Sequence, residues 1–401
     1  MTREQEDYLF LLRRAVRWSL LTEADRMRLE RVNMESLFAM AYTQSQGELF
    51  YMYLTEQGVP LPEAVEKTAR GMLDQSIHRE LLMNVERETI YRFMDAKGIW
   101  HCSLKGILIQ PLYPAVGTRY AADNDILMDE TKSKELRTYL LERGYQLLEI
   151  GYKHDSYLKN PSYHFEFHKK LIDSELCKEA EVYLNGIFPR LKKANETGFL
   201  YEMTPEDFYI HMVVHAFEHY RQKGTGLRYI VDLFYYLRMY RKDMDMERVQ
   251  SLLASFGTDR FEVVLKELAE VLFGDGEEKT EYSDAQEEML AYMFKAGSHG
   301  NDTLYVDNSI ANFNEESKTD FGRKIKYIKH RMFPDMEWYR KYYPFLYRWK
   351  ILIPFFVVYR MIRGLFWSPL AKKELKVLMK KDLKKVENER NFERHSESSG
   401  Q

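Results

Sequence analysis

Apolar residues recur at helical spacing through the first hundred positions and change to a period of two near residue 99. Tyr8-Leu-Phe-Leu-Leu, Ala15-Val and Leu20-Leu form one apolar stripe, and the pattern repeats over 34–54. Gly58-Val-Pro-Leu-Pro62 interrupts it, after which 63–97 reads as one long amphipathic helix with Pro62 at its start and Gly98 past its end. Beyond that glycine, 99–104 reads as a strand, Lys105-Gly106 as a turn, 107–113 as a brief helix stopped by Pro114, and 123–128 as a strand. A helix over 131–143 ends at Gly144, and strands follow over 145–150, 154–159 and 162–171. The last alternates, with His164, Glu166 and His168 on one face and Phe165 and Phe167 on the other.

Helical spacing then returns. Thr204-Pro-Glu-Asp207 is a strong start signal for a helix over 205–221, which carries His211, His215 and His219 on one stripe. A tight turn at Gly224-Thr-Gly226 leads into a helix over 227–240, where Arg228 and Asp232 stand four apart and are expected to pair. Residues 243–295 read as helical, and 299–318, rich in Gly, Asn, Asp and Ser, as a loop. The tail is basic over 323–331, aromatic and basic over 338–349, and apolar over 351–359, about half of the roughly 20 residues a membrane span requires. The last fifteen or so positions are polar and are expected to be disordered. The order predicts an α+β protein in four segments: an N-terminal helical region (1–98), an α/β core (99–185), a helical domain completing a cleft (186–320) and a helical tail (321–401).

Composition narrows the class. Over 401 residues, 45% apolar and 30% charged positions describe a globular chain, and a net charge of −3 gives no global field for nucleic acid. Two cysteines, Cys102 and Cys177, fit a reducing compartment, and the charged start lacks an apolar signal core, so cytoplasm is expected. For 338–385, with Trp349, Trp367 and the lysines from Lys372 to Lys385, packing against the body is preferred over peripheral membrane or protein contact.

Candidate chemistry centres on Arg119-Tyr-Ala-Ala-Asp123-Asn-Asp125. On a strand, Asp123 and Asp125 share a face and Asn124 opposes them. Two adjacent acids repel, so a fold keeps both ionised beside a strong positive charge such as a divalent cation. An ordinary turn before a strand uses the same residue types. If the pair is uncompensated, Asp125→Asn is expected to leave the metal-free protein as stable or more so.

The series Leu104-Lys105-Gly106, Leu112-Tyr113-Pro114, Gly117-x-Arg119, Asp123-x-Asp125-Ile-Leu and Gly144-Tyr145 resembles an uncharacterised bacterial nucleotidyltransferase family of the DNA polymerase beta superfamily. Phe165-Glu166-Phe167-His168, His215-x-x-x-His219, Leu227-Arg228-x-x-x-Asp232-Leu233, Phe333-Pro334 and Tyr343-Pro344 extend the likeness over roughly 95–365. It implies a small polymerase-beta-like mixed sheet and transfer of a nucleotidyl group from a nucleoside triphosphate to an unidentified acceptor, with Mg²⁺ or Mn²⁺. Asp123, Asp125 and Glu166 would hold the metals, while Lys105, Gly106, Arg119, Arg228 and His215 would serve the nucleotide and its phosphates. Ile107, Asn124 and Glu166 depart from that superfamily's usual residues. They support a second reading, a catalytically degenerate nucleotide- or partner-binding scaffold.

Overall fold

The computed structural model describes residues 1–173, 177–275, 281–311 and 320–367. Residues 1–217 with 227–287 form one compact unit, and 218–226 with 288 onward form a second. These units do not follow the four expected segments, because side chains far apart in sequence tie the N-terminal helices to later ones. Tyr235 donates its hydroxyl to the Val16 carbonyl at 2.8 Å, Arg17 Nε donates to the Phe273 carbonyl at 3.1 Å, and the Leu227 amide donates to Gln44 Oε1 at 2.8 Å.

Within the first unit seven strands, β1 (His101–Ser103), β2 (Asn124–Met128), β3 (Gln146–Ile150), β4 (His154–Lys159), β5 (Tyr163–His168), β6 (Lys192–Lys193) and β7 (Leu200–Glu202), build one mixed sheet. Their order is β3-β4-β5-β2-β1-β7-β6. The β2–β5 and β1–β7 pairs are parallel and the others antiparallel. The sheet therefore runs past residue 185, where only helices are expected; β6 and β7, at two and three residues, are too short to show a period. The fold is α+β.

One face of the sheet is apolar. Ile126, Met128, Phe165 and Phe167 pack with Leu136 and Leu140 of the helix Ser133–Glu142 and with Met83, Ile90 and Met94 of the helix Glu63–Ala96. The same 34-residue helix contacts the strands and loops through polar side chains. Ser76 Oγ donates to the Gly117 carbonyl, Glu80 accepts from the Gly117 amide, Arg87 donates to Asn124 Oδ1, Tyr91 meets Ser103 and Asp95 accepts from the Phe199 amide. Gly117, at φ +83°, lies so close to this helix that a Cβ there would come within 2.5 Å of Ile77 Cγ1.

In the second unit, Asn301 donates its amide to the Lys223 carbonyl at 2.9 Å, and the Tyr292 hydroxyl donates to the Tyr220 carbonyl at 2.9 Å. The stretch read as a loop contains a helix, Asp302–Ala311; Asn301 caps it by accepting the Leu304 amide, so its asparagine is a start signal rather than a loop residue. Residues 312–318 of that stretch, the lysines from Lys372 and the polar end lie outside the described residues. The apolar run falls in the helix Ile353–Trp367, whose Arg360 guanidinium sits 4.6 Å over the Trp338 ring while Phe355 and Val358 face solvent. Among the described residues no helix is long and apolar enough to cross a membrane.

Candidate active site

The polar face of the sheet is set by register. Asp125 on β2 lies directly beside Glu166 on β5, and Asp123 immediately precedes β2. Carboxylate oxygens of Asp123, Asp125 and Glu166 lie within 4.8 Å of one another. Asn124, itself buried, points the other way, where it accepts from Arg87 NH1 at 2.7 Å; a partly buried guanidinium there needs an acceptor that an apolar residue would lack.

The acids differ in their surroundings. Burial and the neighbouring Asp125 charge raise the Asp123 carboxyl to about 6. For Asp125, burial acts upward, but Lys105 and His168 outweigh it and hold the group far below the ordinary carboxylate range. Lys105 Nζ donates to Asp125 Oδ1 at 2.8 Å, and His168 Nε2 lies 2.7 Å from the same oxygen. Lys105 is thus an ion-pair partner, and Asp125 carries more compensation than the sequence leads one to expect. The pair also fixes Lys105 at φ 43°, a backbone region that costs an L-residue on the order of 1–3 kcal/mol. Glu166 is lowered too: burial opposes, but the His168 imidazole prevails.

Arg119 is tied to Asp232. Its Nε and NH2 donate to the two carboxylate oxygens of Asp232 at 2.8 and 2.7 Å, and the Tyr113 hydroxyl donates to the same carboxylate. The pair is buried, and the Arg119 charge holds Asp232 down against burial. Asp232 is thus not paired with Arg228 as the spacing of four suggested. Gly106 opens a four-residue helix and admits this guanidinium: a Cβ there would stand 2.9 Å from Arg119 NH1. Arg228 donates from NH1 to the Tyr120 carbonyl at 3.3 Å, and its Nε is buried without a hydrogen-bond partner.

Of the histidine stripe on the helix Pro205–Gln222, His215 lies 3.2 Å from the Tyr229 hydroxyl. His211, one turn earlier, is fully buried with both ring nitrogens unpartnered. Burial, then the charges of Lys105, Lys153 and His168, hold it well below the usual histidine range, so the imidazole is neutral and belongs electrostatically to the acid site. Periodicity alone cannot choose between two residues on one stripe. His154 on β4 was passed over in the sequence for want of any pattern, yet it faces the acids; its Nε2 lies 3.6 Å from Glu166 Oε2.

A mixed sheet whose central strands bring an Asp-x-Asp pair and a third acid to one point makes this an α+β protein with an acidic centre. Within that class the chain belongs to the family described as uncharacterised nucleotidyltransferase, whose model matches residues 30–274. The match takes in the sheet, the long helix, the acids and the His211 and Arg228 helices. No curated protein and no solved structure matches the chain.

Proposed function

We propose that the protein moves a nucleotidyl group from a nucleoside triphosphate to an acceptor nucleophile, with Mg²⁺ or Mn²⁺ held by Asp123, Asp125 and Glu166. The observation that carries this reading is the β2–β5 register, which sets Asp125 beside Glu166 with Asp123 within 4.8 Å. The donor set fits a hard cation, being all oxygen, with burial and the Asp125 charge raising Asp123 to about 6. Bound there, divalent ions stabilise charge on the entering and leaving oxygens of the displacement, in which the acceptor attacks the α-phosphate and pyrophosphate departs.

The chain's own residues divide the remaining work. Lys105 balances Asp125 until a cation competes for it, and then has an ammonium to offer a phosphate. Arg228 brings a guanidinium whose Nε has no protein acceptor. Arg119 works through Asp232 and Gly106, fixing the turn rather than touching the nucleotide.

The second reading, a binding scaffold, rests on one observation: Asp125 Oδ1 is already taken by both Lys105 and His168. Each of four radiolabelled triphosphates is incubated with the protein, Mg²⁺ or Mn²⁺ and cell extract as acceptor source, with calorimetric binding measured on the same preparation. Label transfer that disappears in Asp123→Asn supports the enzyme. Binding with no transfer under every condition supports the scaffold.

A further inference from the structure

Glu166 belongs to two groups of side chains. One is the acidic trio; the other is His154, Glu166 and His168, whose ligand atoms also lie within 4.8 Å of one another. We propose that His154, Glu166 and His168 form a second metal position, beside the oxygen-only one, that takes a borderline transition metal such as Zn²⁺ or Co²⁺ rather than Mg²⁺.

Strand register builds the group. His154 and His168 are direct partners across the antiparallel β4–β5 pair, and Glu166 stands two residues before His168 on the same face. The two rings tilt toward each other with centroids 5.0 Å apart. Both Nε2 atoms lie 3.6 Å from the same oxygen, Glu166 Oε2. That separation is too long for a hydrogen bond. It is close to the edge of a tetrahedral ligand set, roughly 3.3–3.6 Å when each ligand is ~2.0–2.2 Å from the metal.

His154 supplies an independent sign. Its Nε2 has no hydrogen bond, only the 3.6 Å approach to Glu166, and its Nδ1 is buried with no partner. A half-buried imidazole satisfied at neither nitrogen is a donor set awaiting a ligand. At His168 the Lys170 carbonyl lies 3.4 Å from Nδ1. A ring held that way presents Nε2 to a metal. His168 Nε2 lies 2.7 Å from Asp125 Oδ1, so a metal at this nitrogen would take the place of that contact.

Two nitrogens and one carboxylate, with coordination positions left over, are the ligands of an open transition-metal site; imidazole favours such ions, whereas Mg²⁺ favours oxygen. The two positions therefore differ in hardness while sharing Glu166. This inference uses the geometry alone, and its test needs neither nucleotide nor transfer.

Untagged, chelator-stripped protein is titrated with Co²⁺ followed by its visible d–d bands and with Zn²⁺ by calorimetry, no nucleotide present. The expected result is one site whose Co²⁺ spectrum is tetrahedral or five-coordinate. His154→Asn, checked for folding by its urea transition, should weaken it at least ~100-fold, the upper end of what losing even an indirect partner of a metal ligand costs. Asp123→Asn should leave Co²⁺ affinity within a few-fold while removing any Mg²⁺ binding seen by calorimetry. His168→Asn, checked for folding by its urea transition, should match His154→Asn. Absence of Co²⁺ and Zn²⁺ binding would overturn the proposal. So would equal affinity in His154→Asn, or a loss in Asp123→Asn as large as in His154→Asn, which would leave the acidic trio as the only metal position. Transfer activity failing in every protein would count against the nucleotidyl-transfer reading and leave this one standing.

Discussion

The two faces of β2 and β5 are made from alternate residues of the same ten or so positions, and they are opposites. On one, Ile126, Met128, Phe165 and Phe167 are sealed against two helices. On the other, Asp125, Glu166 and His168 crowd charges together, with Asp123 held at about 6. The apolar face stabilises the fold; the polar face spends some of that stability to keep acids where a cation would bind. A change on one face should move stability, and a change one residue along should move ligand binding.

Phe165→Ala is the severest test on the apolar side. It should cost about 3–5 kcal/mol, as removal of a fully buried phenyl ring does, read from the urea midpoint. A loss under 1 kcal/mol would mean that the apolar face is not the structural one. At the margin of the polar face, Asp232→Asn should cost about 3 kcal/mol, since it strands the buried Arg119 charge. Should that variant instead keep full stability and lose only nucleotide affinity, Arg119 would return to the list of phosphate contacts.

Glu166→Gln, one residue from Phe165, should leave the urea midpoint nearly unchanged and triphosphate affinity near normal, while transfer falls at least ~100-fold. Transfer surviving in this variant removes Glu166 from the reaction. The smallest effect belongs to Asp123→Asn in chelator. Because the folded pKa, about 6, exceeds the ordinary 3.8, Asp123 binds more protons folded than unfolded between those values. Its protonated form gives full relative stability below pH 3.8, and this is lost as pH rises through 6. Asp123→Asn should therefore gain stability at pH 7, by no more than the roughly 3 kcal/mol that a rise from 3.8 to about 6 sets as a ceiling, and flatten the decline over pH 4–6. An identical pH profile in the two proteins would show that Asp123 feels no repulsion.

The same comparison replaces an expectation. Asp125→Asn looked like the change that would relieve repulsion, but Asp125 is the acid already balanced by Lys105 and His168; removing its charge leaves a lysine without its partner, so the relief moves to Asp123. That distinction was not legible because it depends on which acid the lysine reaches. Alternation in 162–171 and the apolar spacing of the long helix gave β5, its two faces and the helix almost to their ends. What escaped was non-local or too short to have a period. Arg119 and Asp232 are 113 positions apart, and this contact overrode the local Arg228–Asp232 pairing that helical spacing favoured. β6 and β7 are fragments, and His154 gains its meaning only from standing opposite His168.

The helix Glu63–Ala96 also acts as a jig. Ser76, Glu80, Arg87, Tyr91 and Asp95 lie along one side of it and hold, in turn, the Gly117 turn, the start of β2, the end of β1 and the approach to β7. Each residue of an α-helix adds ~1.5 Å and ~100° of rotation. Inserting or deleting one residue between Glu80 and Arg87 would swing every later contact off that side by about 100°, separating the Asp123–Asp125 segment from the turn that precedes it. This stretch should therefore accept many substitutions on its exposed side and no change of length, a constraint of phase rather than of chemistry.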